Sequence, residues 1–186
     1  APLPLPPELQ PEVVPNAVNL VTNGSFDNGL EGWKKEIRTA DLGSVEVVNG
    51  AAKITRQPKA TFGRIFQDMA VESGKYYTLT FRRFMDKGAL AKALVIFRGP
   101  DEKWRENTRF TYYFPWRPGV WQQGKYTFKT SDDVNYLRLD FRLDRNDKHV
   151  ETDVSYQLDD IVLRLATEKE IADATLPPPE PRLAWP

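Results

Sequence analysis

The chain has 186 residues, 26 basic and 26 acidic side chains, and no cysteine. That length suits one domain with a core of ordinary size. The zero net charge gives no global pull towards nucleic acid or anionic lipid, and the missing cysteines exclude a disulfide framework, a thiol nucleophile and a cysteine zinc site. No apolar run approaches the ~18 residues of a membrane-spanning helix.

Eleven of the fifteen prolines lie in the first fifteen or the last ten residues. Pro2 to Pro15 therefore reads as an extended arm, and Thr175 to Pro186 reads the same way. The boundaries that follow are an arm over 1–16, a folded module over 17–166 and a tail over 167–186. Within the module, Asn19 to Trp33 (NLVTNGSFDNGLEGW) reads as a short apolar strand and a turn at Asn23-Gly24. A buried aromatic at Phe26, a second turn at Asn28-Gly29 and a core tryptophan at Trp33 follow. Val45 to Val48 and Ala51 to Arg56 flank Asn49-Gly50, a strong hairpin signal.

Further strands are predicted at Phe62 to Met69, Lys75 to Phe84, Lys92 to Arg98, Thr108 to Phe114, Gly124 to Thr130, Val134 to Leu143 and Val154 to Leu165. Turn residues separate them, and such spacing argues for an all-β protein, a β-sandwich of jelly-roll type with two antiparallel sheets. Ala166 to Ala174 (ATEKEIADA) reads as one or two helical turns, or as the way out of the domain. Side chains on a strand alternate between faces. Tyr77, Leu79 and Phe81 form one core set; Leu137, Leu139, Phe141 and Leu143 form another. Arg82 then points outward from the first strand, and Arg138, Asp140 and Arg142 from the second. Such a row is equally what a solvated face with paired charges shows.

The segment from Trp104 to Trp121 concentrates aromatics. Trp121 and Phe114 read as core, whereas Trp104 and Trp116 sit in loop-like, arginine-flanked surroundings suited to surface contacts. Chemistry of the catalytic kind has little to stand on. The single histidine, His149, lies in a turn-like stretch without an obvious partner, and no G-x-S-x-G, H-E-x-x-H or phosphate-binding glycine loop occurs. Two carboxylates suffice for glycoside hydrolysis. Asp140 with Glu106 or Asp144 could form such a pair, but nothing singles them out.

Asn19 to Trp33 also resembles the opening of the jelly-roll carbohydrate-binding modules of cellulases and xylanases (families four, nine and twenty-two). Phe62-Gly63 with Ile65 to Gln67, then VESGKYYTLTF at Val71 to Phe81, are similar to the following blocks. WQQGKYTF at Trp121 to Phe128, Leu137 to Phe141 and YQLDDIVL at Tyr156 to Leu163 resemble the closing ones. The resemblance implies a monomeric, secreted or cell-surface, non-catalytic module that binds a polysaccharide and brings a neighbouring catalytic domain to it. No nucleic-acid partner and no membrane span are expected. It implies a groove across the outer face of one sheet, with Phe62, Gln67, Arg82, Arg138, Asp140 and Arg142 as contacts; Arg98 and the aromatics Trp104, Tyr112 and Trp116 join them as candidates from the residues themselves. Phe62 stands where xylan-binding members often carry a tryptophan, which counts against xylan. The arginines suit an acidic polysaccharide. The resemblance also implies a structural calcium held by the Ser25 carbonyl, Asp27 and Asp159, with Asp160 beside them. Asp27 reads equally as the cap of the Asn28-Gly29 turn, and Asp159 or Asp160 as a cap on the last strand. A sandwich that spaces domains or contacts proteins is the competing reading.

Overall fold

The structure is a computed structural model and describes residues 9–10, 12–38, 42–58, 62–113, 117–144 and 152–176. Its strands are β1 (Lys34–Ile37), β2 (Gly43–Val48), β3 (Ala51–Arg56), β4 (Phe62–Ala70), β5 (Tyr76–Met85), β6 (Leu90–Arg98), β7 (Trp104–Tyr113), β8 (Gln122–Lys129), β9 (Tyr136–Asp144) and β10 (Val154–Leu165), followed by a helix, α1 (Glu168–Thr175). They form two five-stranded sheets. The first sheet has the order β1-β4-β9-β6-β7 and the second β2-β3-β10-β5-β8. Every strand pair is antiparallel. The β2–β3 hairpin closes at Asn49 and Gly50, which both take positive φ (51° and 79°), the conformation that a two-residue hairpin turn requires.

The core fills the space between the sheets. β9 contributes Leu137, Leu139, Phe141 and Leu143, all fully buried, and β5 contributes Tyr77, Leu79 and Phe81. Phe81 meets Phe141 edge-on with ring centroids 5.1 Å apart, which joins the two layers and adds ~1 kcal/mol beyond burial. Phe26 and Trp33 pack into the same core, 1% and 8% exposed, as their place in the sequence predicts.

The opening segment departs from expectation. The first strand is β1, not the apolar residues at Asn19 to Val21. The reason is Asn19, whose side-chain oxygen accepts from the amides of both Val21 and Leu163 at 3.0 Å. A side chain thus takes the place of a backbone ladder, and only the Leu20 amide reaches the Leu163 carbonyl. The segment then docks on a bulge in β10 between Asp159 and Val162, where the Ile161 amide donates to the Gly24 carbonyl at 3.0 Å.

The chain ends are joined by charge. In α1, Thr167 and Glu170 form a capping box. The Glu170 carboxylate also accepts from Arg164 at 2.6 and 3.0 Å. Lys125 of β8 pairs with both Glu170 and Glu12, each at 2.9 Å. Burial pushes the Glu170 carboxyl up, but hydrogen bonds from Arg164, Lys125 and the Thr167 amide hold it well below the carboxylate range. Glu12 and Glu170 lie in the stretches read as arm and tail, so parts of both dock on the module.

A methyl group at Gly24 would overlap the Ile161 carbonyl oxygen. Gly24→Ala is expected to destabilise the fold by about 2–3 kcal/mol in urea unfolding. An unchanged midpoint would show that the docked segment is free to shift.

Candidate functional site

On the first sheet, the inward set of β9 forces Tyr136, Arg138, Asp140, Arg142 and Asp144 onto the outer face. Register brings Arg64, Phe66 and Asp68 of β4 beside them on one side. Lys92, Ile96 and Arg98 of β6 flank them on the other, and Trp104 of β7 pairs with Arg98.

These side chains build a column in which rings and guanidinium groups alternate. The Arg98 guanidinium lies 4.2 Å from the Tyr136 ring and 5.4 Å from the Trp104 ring. Arg138 lies 4.6 Å from Trp104 and 4.3 Å from Phe66, and Arg64 lies 4.5 Å from Phe66. Phe66 is only 9% exposed despite its outward direction, because the two arginines cover it. Each such contact contributes about 0.5–1 kcal/mol at an exposed site.

Carboxylates fix most of the cations. Arg138 donates to Asp68 through Nε (2.7 Å) and Nη2 (2.9 Å), a two-pronged pair. Arg64 donates to Asp140 and to Glu36, both at 2.7 Å, and holds the Glu36 carboxyl below its ordinary range by that hydrogen bond. Arg142 donates twice to the same Asp140 oxygen, at 3.0 and 3.1 Å. Lys92 pairs with Asp144 at 2.7 Å and lies 5.7 Å from the ring of Tyr113, which is 72% exposed. Arg98 differs. Among the described residues no carboxylate reaches it, and its side chain rests on Tyr136 and Trp104.

Several expected contacts go elsewhere. Asp140 lies on the face but is fully covered, so it acts by holding Arg64 and Arg142 rather than by touching a ligand. Gln67 points inward and is 7% exposed; its amide accepts from the Thr22 amide at 2.7 Å and donates to the Thr22 and Gly32 carbonyls at 3.0 Å. It is a bracket for the opening segment. Tyr112 stacks on Tyr126 across the sandwich at 4.1 Å, and burial pushes its hydroxyl pKa up. Arg82 sits on β5 in the second sheet, not beside β9, so it faces the opposite side of the molecule. Trp121 belongs to that side too, half-buried against Phe84 rather than in the core. Phe62 stands opposite Asp144 in register, and its side chain lies outside the described residues, as do Phe114, Trp116 and His149.

Sequence reasoning passed over Arg64, Phe66, Asp68, Lys92 and Tyr136. Arg64, Phe66 and Asp68 alternate with inward Ile65, Gln67 and Met69, so the period-two pattern of β4 already carried that signal.

The residues proposed for calcium are a poor fit as arranged. The Asp159 carboxylate accepts from Arg82 at 2.6 Å, and Asp27 accepts from the Ser25 hydroxyl at 2.8 Å. Among the described residues no three His, Cys, Asp or Glu side chains are grouped in a way that could hold a metal ion; the expected set rests on a backbone carbonyl and two carboxylates. Burial, and then the neighbouring Asp160 charge, push the Asp159 carboxyl up to about 6.

No family model matches the chain, and no curated protein does. Solved structures do. The chain is similar to a CBM4 carbohydrate-binding module, with a TM-score of 0.61 and 20% identity, over 78% of this chain and 99% of that one. It is similar to TmCBM61, solved with β-1,4-galactotriose, with a TM-score of 0.54 and 13% identity, over 80% and 99%. The enzymatically active domain of tailspike protein 4 from bacteriophage CBA120 matches with a TM-score of 0.64 and 15% identity, over 80% of this chain and 21% of that one. The fold is therefore a jelly-roll sandwich shared with carbohydrate-binding modules and with that enzyme domain. Identities this low establish the architecture alone.

Gln67→Ala is expected to cost about 2–3 kcal/mol, because three backbone groups lose their partner, and to leave binding at the outer face unchanged. Lost binding at an unchanged melting temperature would return Gln67 to the ligand site. EDTA is expected to leave the melting temperature where it is; a fall would show that an ion displaces Arg82 from Asp159.

Proposed function

We propose that this domain is a non-catalytic polysaccharide-binding module that takes an acidic polysaccharide on the outer face of the first sheet. One observation carries the reading. Arg98 lies over two aromatic rings, on a face where the neighbouring arginines and Lys92 already have carboxylates. A guanidinium stacked on a ring keeps its planar N–H fork for a ligand carboxylate or sulfate. The half-buried Tyr136 and Trp104 and the exposed Tyr113 offer flat apolar surface for sugar C–H groups. Because guanidinium groups cover much of the ring area in the column, an anionic sugar matches it better than a plain glucan.

The non-catalytic part of the reading rests on Asp140. A carboxylate sealed beneath Arg64 and Arg142 has no access to a glycosidic oxygen. Such a module works by effective concentration, holding an attached glycan-active enzyme at its substrate without new chemistry. Its place of work would be outside the cell or on its surface. The dense ion pairing of the face favours a second reading, a sandwich that contacts proteins or spaces domains.

Isothermal titration against polygalacturonate and against a neutral β-glucan separates these. Binding to polygalacturonate is expected to weaken with salt and to fall roughly tenfold or more in Arg98→Ala, the loss of one charged hydrogen-bonding pair. Binding to neither polymer class would favour the spacing reading. Binding to polygalacturonate that is indifferent to Arg98→Ala would remove the assigned site.

A further inference from the structure

The second sheet turns its own outer face away from the arginine column. There the row Lys53, Gln157, Phe84 crosses β3, β10 and β5, and the row Asp159, Arg82, Gln123 crosses β10, β5 and β8. Trp121 enters β8 beside them. Its ring lies 5.8 Å from Phe84 at 50°, and the Arg82 guanidinium lies 5.5 Å from it. Both rings are half-buried, and neither belongs to the core, which Phe81, Met85, Tyr156 and Leu158 complete on the other side of the same strands. Packing of the sandwich therefore does not account for this aromatic pair.

The polar groups beside the rings are organised as well. Arg82 donates to Asp159 at 2.6 Å and is paired with Asp160 at 2.7 Å. The bulge in β10 puts these consecutive carboxylates on one guanidinium, and Asp160 takes a left-handed φ of 48° to do so. Their side chains remain 16% and 23% exposed. Asp159 also accepts from the Asp160 amide at 2.8 Å, which fixes its direction.

We propose that Trp121, Phe84, Arg82, Asp159, Asp160 and Gln123 form a second saccharide site, distinct from the arginine column, that takes a neutral hexose chain. Flat rings pack on the apolar face of a pyranose. Carboxylates accept from vicinal hydroxyls, while the guanidinium and the glutamine amide donate to ring and hydroxyl oxygens. Both carboxylates hold the one arginine, which leaves it less free than Arg98 to take a uronate or sulfate group. The two faces therefore select different polymers, and one molecule holds a neutral chain on one side and an acidic chain on the other.

The test uses the full chain and titrates a neutral panel (β-glucan, β-1,4-galactan and xylan) and polygalacturonate against wild type, Trp121→Ala, Asp160→Asn and Arg98→Ala. Wild type is expected to bind at least one neutral polymer. Trp121→Ala and Asp160→Asn are each expected to weaken it tenfold or more, with polygalacturonate unaffected. Arg98→Ala is expected to spare the neutral polymer. If Trp121→Ala fails to fold, Asp160→Asn, a substitution of nearly equal volume, decides alone. The proposal is overturned if wild type binds no neutral polymer, or if folded Trp121→Ala and Asp160→Asn bind it like wild type. It is also overturned if Arg98→Ala abolishes neutral binding, since one face would then serve both polymers. A wild type that binds the neutral polymer but not polygalacturonate would fail the arginine-column reading and leave this one standing.

Discussion

Leu137, Leu139, Phe141 and Leu143 are sealed between the sheets, and their burial dictates what stands on the other side of β9. A shift of one residue in register would turn the leucines to solvent and the arginines to the core. The outer residues therefore have no choice of side. With β4 and β6 registered on either flank, Arg98 and Arg138 reach rings on neighbouring strands at stacking distance, and Arg64 reaches Phe66 on its own strand. Apolar burial on one face is what makes the other face an ordered surface.

That surface also depends on a charge that is never exposed. Asp140 is fully buried on an outward-facing position, because Arg64 and Arg142 close over it. A carboxylate is tolerated there because both guanidinium groups converge on one of its oxygens. Its other oxygen is buried with no hydrogen-bond partner among the described residues. The arrangement holds two like charges side by side, and the same logic appears inverted on the second sheet, where Arg82 holds Asp159 and Asp160 together.

Most strands and both core sets were legible from alternation and Asn-Gly turns, since period-two patterning is a direct consequence of burying one face. Other features were not. Which strands share a sheet depends on long-range pairing, and nothing local reveals that Arg82 on β5 and Arg138 on β9 look in opposite directions. Gln67 reads as an outward polar residue until its three backbone partners are seen. The first strand was misplaced because Asn19 substitutes a side chain for a ladder, a choice made by residues more than a hundred positions away. Trp121 reads as core in the sequence, yet it packs beside Phe84 and Arg82 on the outer side of the second sheet.

The charged knot at Glu12, Lys125, Arg164 and Glu170 ties a residue near the start of the chain to the edge strand β8 and to the closing helix. Mechanically it is a clasp shared by both ends. Tension applied at either end reaches the same ion pairs before it reaches the strand ladders. The knot is also partly screened by salt, through Lys125 and Glu12, while Arg164 and Glu170 are shielded by burial. The two ends of the sandwich would thus loosen together, outer pair first, and the sheets themselves would feel the pull last.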